Sequence, residues 1–279
     1  MDREKLENIH DKLSKDLELY IHAVVEKYGG SMQKYQLEKL ANITDYRNIL
    51  KIYDYGSVNG YANNRNISMP LCADKIMNLA RFVPGYGINK GHKAYNEETL
   101  IINDNTFVDY IKHVFISGTD IEGYYSDMLL HEVMHFCGSG GATALREGIN
   151  ELLTRKLALD KGFRTSGCGY PKEVQIAYQL QEIFGEDTIN KIAFMHTEEE
   201  VYSFLENTKG TKAANLYKDV SVMMEEEFDN KYYRYMDSYG GITGILKKVR
   251  NYAKIDYSNI YSRINEYQRE IQNQTAIKK

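Results

Sequence analysis

The sequence predicts an α+β protein, with a small mixed β-sheet in the first part of the chain and mainly helices in the rest. Between residues 52 and 105, Gly, Asn and Pro residues separate short β-prone segments. From Phe107 onward, apolar residues recur at the three- and four-residue steps of amphipathic helices. Strands followed by helices along a chain are typical of the α+β class.

The N-terminal segment, residues 1–50, is predicted to be helical. Apolar residues repeat at helical spacing up to the pair Gly29-Gly30, which ends the first helix, and residues 32–50 continue as a second helical stretch. The apolar positions of the first helix are Leu6, Ile9, Leu13, Leu17, Tyr20 and Val24.

Residues 51–140 are expected to hold the sheet and one central helix. The β-prone segments are 51–53, 66–69 and 99–102. The helix is predicted at about 121–136, with Asp120 as its N-cap and Gly138 closing it. Residues 141–279 are expected to form a helical C-terminal subdomain, with helices at about 144–159, 172–184, 187–205 and 215–279.

Composition argues against several classes of protein. The chain has 279 residues, of which 43% are hydrophobic and 27% charged, as is typical of folded globular proteins. Lys and Arg total 35 against 39 Asp and Glu, and this net charge of −4 argues against a nucleic-acid partner. The three cysteines, Cys72, Cys137 and Cys168, rule out a disulfide scaffold and a four-cysteine zinc module.

The sequence gives a prediction of the cellular compartment but none of the oligomeric state. No apolar run approaches the ~20 residues of a membrane-spanning helix, and the charged start of the chain lacks a secretory signal. As written, the sequence predicts a cytoplasmic protein, or a secreted or surface-anchored one from which a leader was removed.

The motif His131-Glu132-Val133-Met134-His135 carries the chemistry of the predicted central helix. Histidines at positions i and i+4 lie on one helix face, one turn apart, where two ligands of a single Zn²⁺ must lie. Glu132, beside the metal, is placed to accept a proton from a zinc-bound water, which is the general-base role in this motif.

A catalytic zinc site needs a third protein ligand besides water. Gly141 stands where a metzincin would carry another histidine, and the only later histidine, His196, has no supporting local pattern. The better source is the helix after the glycine-rich turn at 138–141. There Glu147 and Glu151 are four residues apart on one face, and either carboxylate could be the ligand.

An HExxH motif followed by a glutamate on the next helix resembles the gluzincin metallopeptidases, the clan of thermolysin and the gluzincin aminopeptidases. Arg146-Glu147-Gly148 resembles the Asn-Glu-Gly segment that supplies the glutamate ligand in those aminopeptidases, and the stretch is also similar to the Glu-Gly-x-x-Glu helix of small bacterial gluzincins. The resemblance covers about residues 121–155.

The resemblance implies a zincin-like fold and one Zn²⁺ bound by His131, His135 and Glu147, with Glu132 polarising the water. In thermolysin an acidic residue four positions after the ligand orients a zinc histidine, and Glu151 holds that position. The interval from His135 to Glu147 is shorter than in thermolysin or the aminopeptidases. Glu151 therefore remains the alternative ligand.

Further site residues are predicted from chemistry and from the resemblance. The developing oxyanion needs a donor near the metal, for which Tyr170 and His196 are candidates. Residues 99–103 fall where gluzincins place the edge strand above the active-site helix. By that resemblance Ile101 and Asn103 would bind an extended substrate through main-chain hydrogen bonds, with an ordinary core strand as the alternative.

These expectations combine into a zinc-dependent metallopeptidase that acts on a peptide or protein, with Glu132 as the general base. Two alternatives remain open from the sequence. One is a zinc hydrolase of a non-peptide amide, which would use the same ligands, and the other is a non-catalytic zincin-fold module for binding or sensing.

Overall fold

The computed structural model of the chain describes residues 3–53, 61–62, 67–70, 121–138, 143–163, 170–231 and 251–277. The described helices are α1 (Arg3–Tyr28), α2 (Lys34–Ala41), α3 (Tyr46–Ile49), α4 (Ile121–Cys137), α5 (Ala144–Lys161), α6 (Pro171–Phe184), α7 (Glu186–Ala193), α8 (Glu198–Lys209), α9 (Thr211–Lys231) and α10 (Ser258–Ile277). A 3₁₀ turn, Gly29–Ser31, joins α1 to α2.

The described residues are mainly helical, so the predicted α+β, zincin-like arrangement is wrong. Strands are limited to β1 (Leu50–Tyr53), β2 (Tyr61–Ala62) and β3 (Ile67–Pro70). β3 pairs with β1 in parallel and with β2 antiparallel. Strands of two to four residues bury little apolar surface, and β-propensity in a short segment depends on what packs against it. The buried residues of the described chain therefore come almost entirely from helices.

Helix boundaries differ from the predicted ones mainly where polar caps interrupt the pattern. The predicted helix at 187–205 is two helices, α7 and α8, because Thr197 begins a new one. Its side-chain oxygen accepts from the N–H of Glu200, whose carboxylate accepts from the N–H of Thr197. The predicted N-cap Asp120 and the β-prone segment 99–102 lie outside the described residues.

α5 is the central helix of the described core. It packs against α1, α4, α6, α7 and α9, and 14 of its 18 residues are buried. The hydroxyl of Tyr28 on α1 donates to the carbonyl of Leu153 at 3.0 Å, which ties the N-terminal helix to α5. Thr143 caps α5 at its start, and Gly162, with φ 67°, ends it in the left-handed conformation that favours glycine.

α5 and α6 cross at very short range. A Cβ atom at Gly148 would lie 2.5 Å from the backbone oxygen of Glu173, so only glycine fits without displacing α6. This contact sets the first turn of α6, and with it Tyr170, against the surface formed by α4 and α5.

Among the described helices, none is both long and apolar enough to cross a membrane.

Candidate metal centre

Helix α4 presents both histidines of the HExxH motif on one face. The Nε2 atoms of His131 and His135 are 3.0 Å apart, and their ring centroids are 4.7 Å apart. The apolar residues between and before them are fully buried and fix this face of the helix against the core; they are Leu129, Leu130, Val133 and Met134.

Helix α5 brings Glu147 to the two histidines. Its Oε2 atom lies 3.2 Å from Nε2 of His131 and 3.2 Å from Nε2 of His135. Glu147 is in the first turn of α5, where the helix dipole favours a carboxylate. A second carboxylate, Glu225 on α9, accepts from the N–H of Ala144 at 2.7 Å and so holds the start of α5.

The geometry separates the two glutamates that the sequence left as alternatives. Glu151 does not face the Nε2 atoms: its Oε2 lies 2.9 Å from Nδ1 of His131, on the other side of the ring. Its Oε1 accepts from Nε of Arg155 at 2.9 Å. Within the part of the chain that the structure describes, His131, His135 and Glu147 form the one group of side chains that could hold a metal ion.

Asn150 is a site residue that the sequence analysis missed. It is buried on α5, and its Nδ2 lies 2.5 Å from Nδ1 of His135. Turning the amide by 180° places Oδ1 there instead, where it accepts from Nδ1–H and leaves Nε2 free to bind a metal. The spacing from Glu147 to Asn150, three residues on a helix, was the signal available in the sequence.

Opposing charges stabilise one another in this buried group. Burial alone would raise the pKa of Glu147, but His135 and His131 hold that pKa well below its ordinary value. For Glu151, Arg155 and His131 outweigh the effect of burial and lower the pKa of the carboxyl. Burial would lower the pKa of His131, yet its hydrogen bonds to the two glutamates raise it well above the usual range.

Glu132 has a different environment from the other two carboxylates. It is 7% exposed, and burial raises the pKa of its carboxyl, an effect that His135 and His131 oppose only in part. A carboxylate whose pKa is moved toward neutrality is a better proton acceptor and donor near pH 7 than an ordinary glutamate.

Tyr170 and His196, the two candidate oxyanion donors, lie in different surroundings. The ring of Tyr170 stacks on that of His131, with centroids 5.6 Å apart, and is also near Phe228. Its φ of 50° makes it the only described non-glycine residue with positive φ, a strain typical of functional sites. His196 is exposed, donates its backbone N–H to Glu200, and is not part of the metal-ligand group.

The predicted substrate-binding residues and two of the three cysteines fall outside the described part of the chain. Ile101 and Asn103, predicted to bind substrate, lie outside the described residues, as do Cys72 and Cys168. Cys137, at the end of α4, is buried without a disulfide, and burial raises the pKa of its thiol to about 12. It is therefore unreactive as a nucleophile.

Searches against protein-family models, curated proteins and solved structures find no match to this chain, so the case for its function rests on the site geometry itself.

Proposed function

We propose that the chain is a zinc-dependent metallopeptidase of gluzincin type, with His131, His135 and Glu147 as the ligands of one Zn²⁺. The observation that carries the proposal is the triangle of ligand atoms, with edges of 3.0, 3.2 and 3.2 Å. Ligands about 2.0–2.1 Å from a tetrahedral zinc lie about 3.3 Å from one another. The edges are close to this value, and two imidazoles with one carboxylate are the ligand set of a catalytic zinc.

The charges around the group favour a divalent cation. Glu132, Glu147 and Glu151 are buried carboxylates, and one of them, Glu151, accepts a hydrogen bond from the cation Arg155. When both imidazoles are neutral, as metal ligands must be, the arginine and a dication together balance three negative charges. Buried carboxylates are costly without such compensation.

Each residue then has a defined role in hydrolysis. The bound zinc would supply Lewis acidity, lowering the pKa of a water and polarising a substrate carbonyl. The carboxylate of Glu132 accepts a proton from the attacking water and then delivers it to the nitrogen of the leaving amine. Glu151 and Asn150 orient the two imidazoles through their Nδ1 atoms, and the ring of Tyr170 covers one face of His131.

Substitutions at Glu132 and His131 should separate metal binding from catalysis. We expect Glu132→Gln to retain one zinc per chain and to lose peptidase activity by at least ~10²-fold, because the amide cannot accept the proton. His131→Ala should lose the metal as well. Zinc content by atomic emission and cleavage of a mixed peptide library, measured on the same preparations, test both points.

Three outcomes would contradict the proposal in whole or in part. Full peptidase activity in Glu132→Gln would rule out its role as the base, and a wild-type protein that binds no zinc would rule out the metal centre. Hydrolysis of non-peptide amides without cleavage of any peptide would retain the centre and overturn the peptidase assignment.

A further inference from the structure

We propose that Arg155 is a positioning residue of the metal centre, which acts through Glu151 to orient His131 and to keep Glu151 from binding the metal. This inference rests on the proposed function above, because it concerns how the same ligands are held.

Two hydrogen-bond contacts link the buried Arg155, through Glu151, to the proposed ligand His131. Arg155 has no exposed surface, and its Nε donates to Oε1 of Glu151 at 2.9 Å. Oε2 of the same carboxylate faces Nδ1 of His131 at 2.9 Å. Both oxygens of Glu151 are thus engaged, one by the arginine and one by the imidazole, which fixes the rotation of the carboxylate.

Arg155 also distinguishes between two chemically identical residues. Glu147 and Glu151 are four residues apart on one face of α5, so both lie beside the histidines of α4. What distinguishes Glu151 is its hydrogen bond from Arg155. An ionised Glu151 paired with a guanidinium is only an acceptor, so Nδ1 of His131 must carry the hydrogen and Nε2 keeps its lone pair for the metal.

Burying an arginine at this position costs more free energy than burying an apolar residue of similar volume. Burying a guanidinium and a carboxylate costs desolvation, and apolar residues of similar volume usually give equal or greater stability. We therefore assign its charge to the orientation of Glu151 rather than to stability.

The test compares Arg155→Met, Arg155→Lys, Glu151→Gln and the double variant Arg155→Met/Glu151→Gln. Zinc affinity is measured by competition with a chromophoric chelator, and the visible spectrum of the Co²⁺-substituted protein reports the coordination. We expect a 10–100-fold loss of zinc affinity and an altered Co²⁺ spectrum in Arg155→Met. Arg155→Lys should recover most of the affinity, and the double variant should bind zinc no more weakly than Glu151→Gln alone.

Controls keep a folding defect apart from a metal defect. Arg263→Met removes a different arginine–carboxylate pair, between α10 and Asp219 on α9, and should leave zinc affinity and the Co²⁺ spectrum unchanged. If Arg155→Met does not fold, the double variant, which buries no unpaired charge, and Arg155→Lys decide the question.

The inference would be overturned by a folded Arg155→Met with wild-type zinc affinity and Co²⁺ spectrum. Zinc losses that simply add in the double variant would also overturn it. These results differ from a failure of the proposed function, in which the wild-type protein itself binds no zinc or His131→Ala binds it as tightly.

Discussion

Asn150 and Arg155 show how much of the candidate site depends on residues that bind no metal. Asn150 contacts Nδ1 of His135, and Arg155 donates to the carboxylate of Glu151. Such contacts fix the tautomer and the ring plane of an imidazole, which a metal ligand requires.

We expect Asn150→Ala to lower zinc affinity about tenfold, because His135 would lose its Nδ1 partner in a buried setting. Chelator competition measures the change. Asn215→Ala is the matched control, since Asn215 is an exposed asparagine that pairs with Tyr202 far along the chain from the metal group. Equal zinc affinity in Asn150→Ala and the wild type would show that Asn150 does not orient His135.

At the residue scale, the sequence could indicate the candidate ligands but not the residues that hydrogen-bond to them. The HExxH spacing placed His131 and His135 one turn apart, and helical geometry indicated Glu147 and Glu151 as the available carboxylates. The choice between them depends on which nitrogen of His131 each one faces, and this follows from the packing of α4 on α5. A sequence pattern contains no information on that packing.

At the scale of elements, the crossing of α5 and α6 connects stability to the site. Gly148 permits the close contact with Glu173, and the same contact positions Tyr170 beside His131. The two effects of adding a methyl group here have opposite signs. Helix propensity alone favours alanine over glycine by about 1 kcal/mol, whereas overpacking costs about 1–3 kcal/mol.

We expect Gly148→Ala to lower the free energy of unfolding by up to about 2 kcal/mol, because the clash with backbone cannot be relieved by a side-chain rotation and outweighs the gain in helix propensity. Urea unfolding followed by circular dichroism measures it. Gly30→Ala is the control, since a Cβ there meets open space, and it should be neutral. An increase in stability in Gly148→Ala would show that α6 moves aside freely.

The sequence predicted helices well where apolar residues repeat over many turns. It did not predict the fold class. α4 and α5 begin and end within two residues of the predicted bounds. The predicted class was wrong because the prediction gave short β-prone segments the same weight as long helices. The strands β1, β2 and β3 have only two to four residues each.

Across the whole molecule, tyrosine hydroxyls join distant parts of the chain. Tyr252 and Tyr257 donate to the two carboxylate oxygens of Glu173 at 2.5 and 2.6 Å. Nζ of the neighbouring Lys172 donates to the carbonyl of Ile255 at 2.6 Å. The chain has 24 tyrosines, and composition alone gives no account of them. Here two of them fasten the C-terminal residues to α6.

We expect the buried Glu173 to make stability depend on pH. Burial raises the pKa of Glu173 above 4.5, and the hydrogen bonds from Tyr252 and Tyr257 offset this only in part. For a pKa raised on folding, the stabilising contribution is complete below the unfolded value and is lost as pH rises through the folded value. Relative to Glu173→Gln, the wild type should therefore lose stability as pH rises from about 4 toward neutral.

Urea unfolding of the wild type and Glu173→Gln at several pH values tests this prediction. Glu199→Gln, which removes an exposed carboxylate on α8, is the control and should follow the wild-type curve. If Glu173→Gln and the wild type give parallel curves over the whole range, Glu173 does not set the pH dependence.

The attachment of Lys172 and Glu173 to residues 252–257 has a consequence for the order of events during synthesis. The ligands of the candidate centre, residues 131–147, leave the ribosome about 100 residues before the tyrosines that satisfy Glu173, a delay of roughly 5–20 s at ordinary translation rates. Until then the carboxylate of Glu173, the residue whose backbone lies against Gly148, has no hydroxyl partners from residues 252–257. The hydrogen bonds that satisfy Glu173 can thus form only after all the proposed metal ligands have been made.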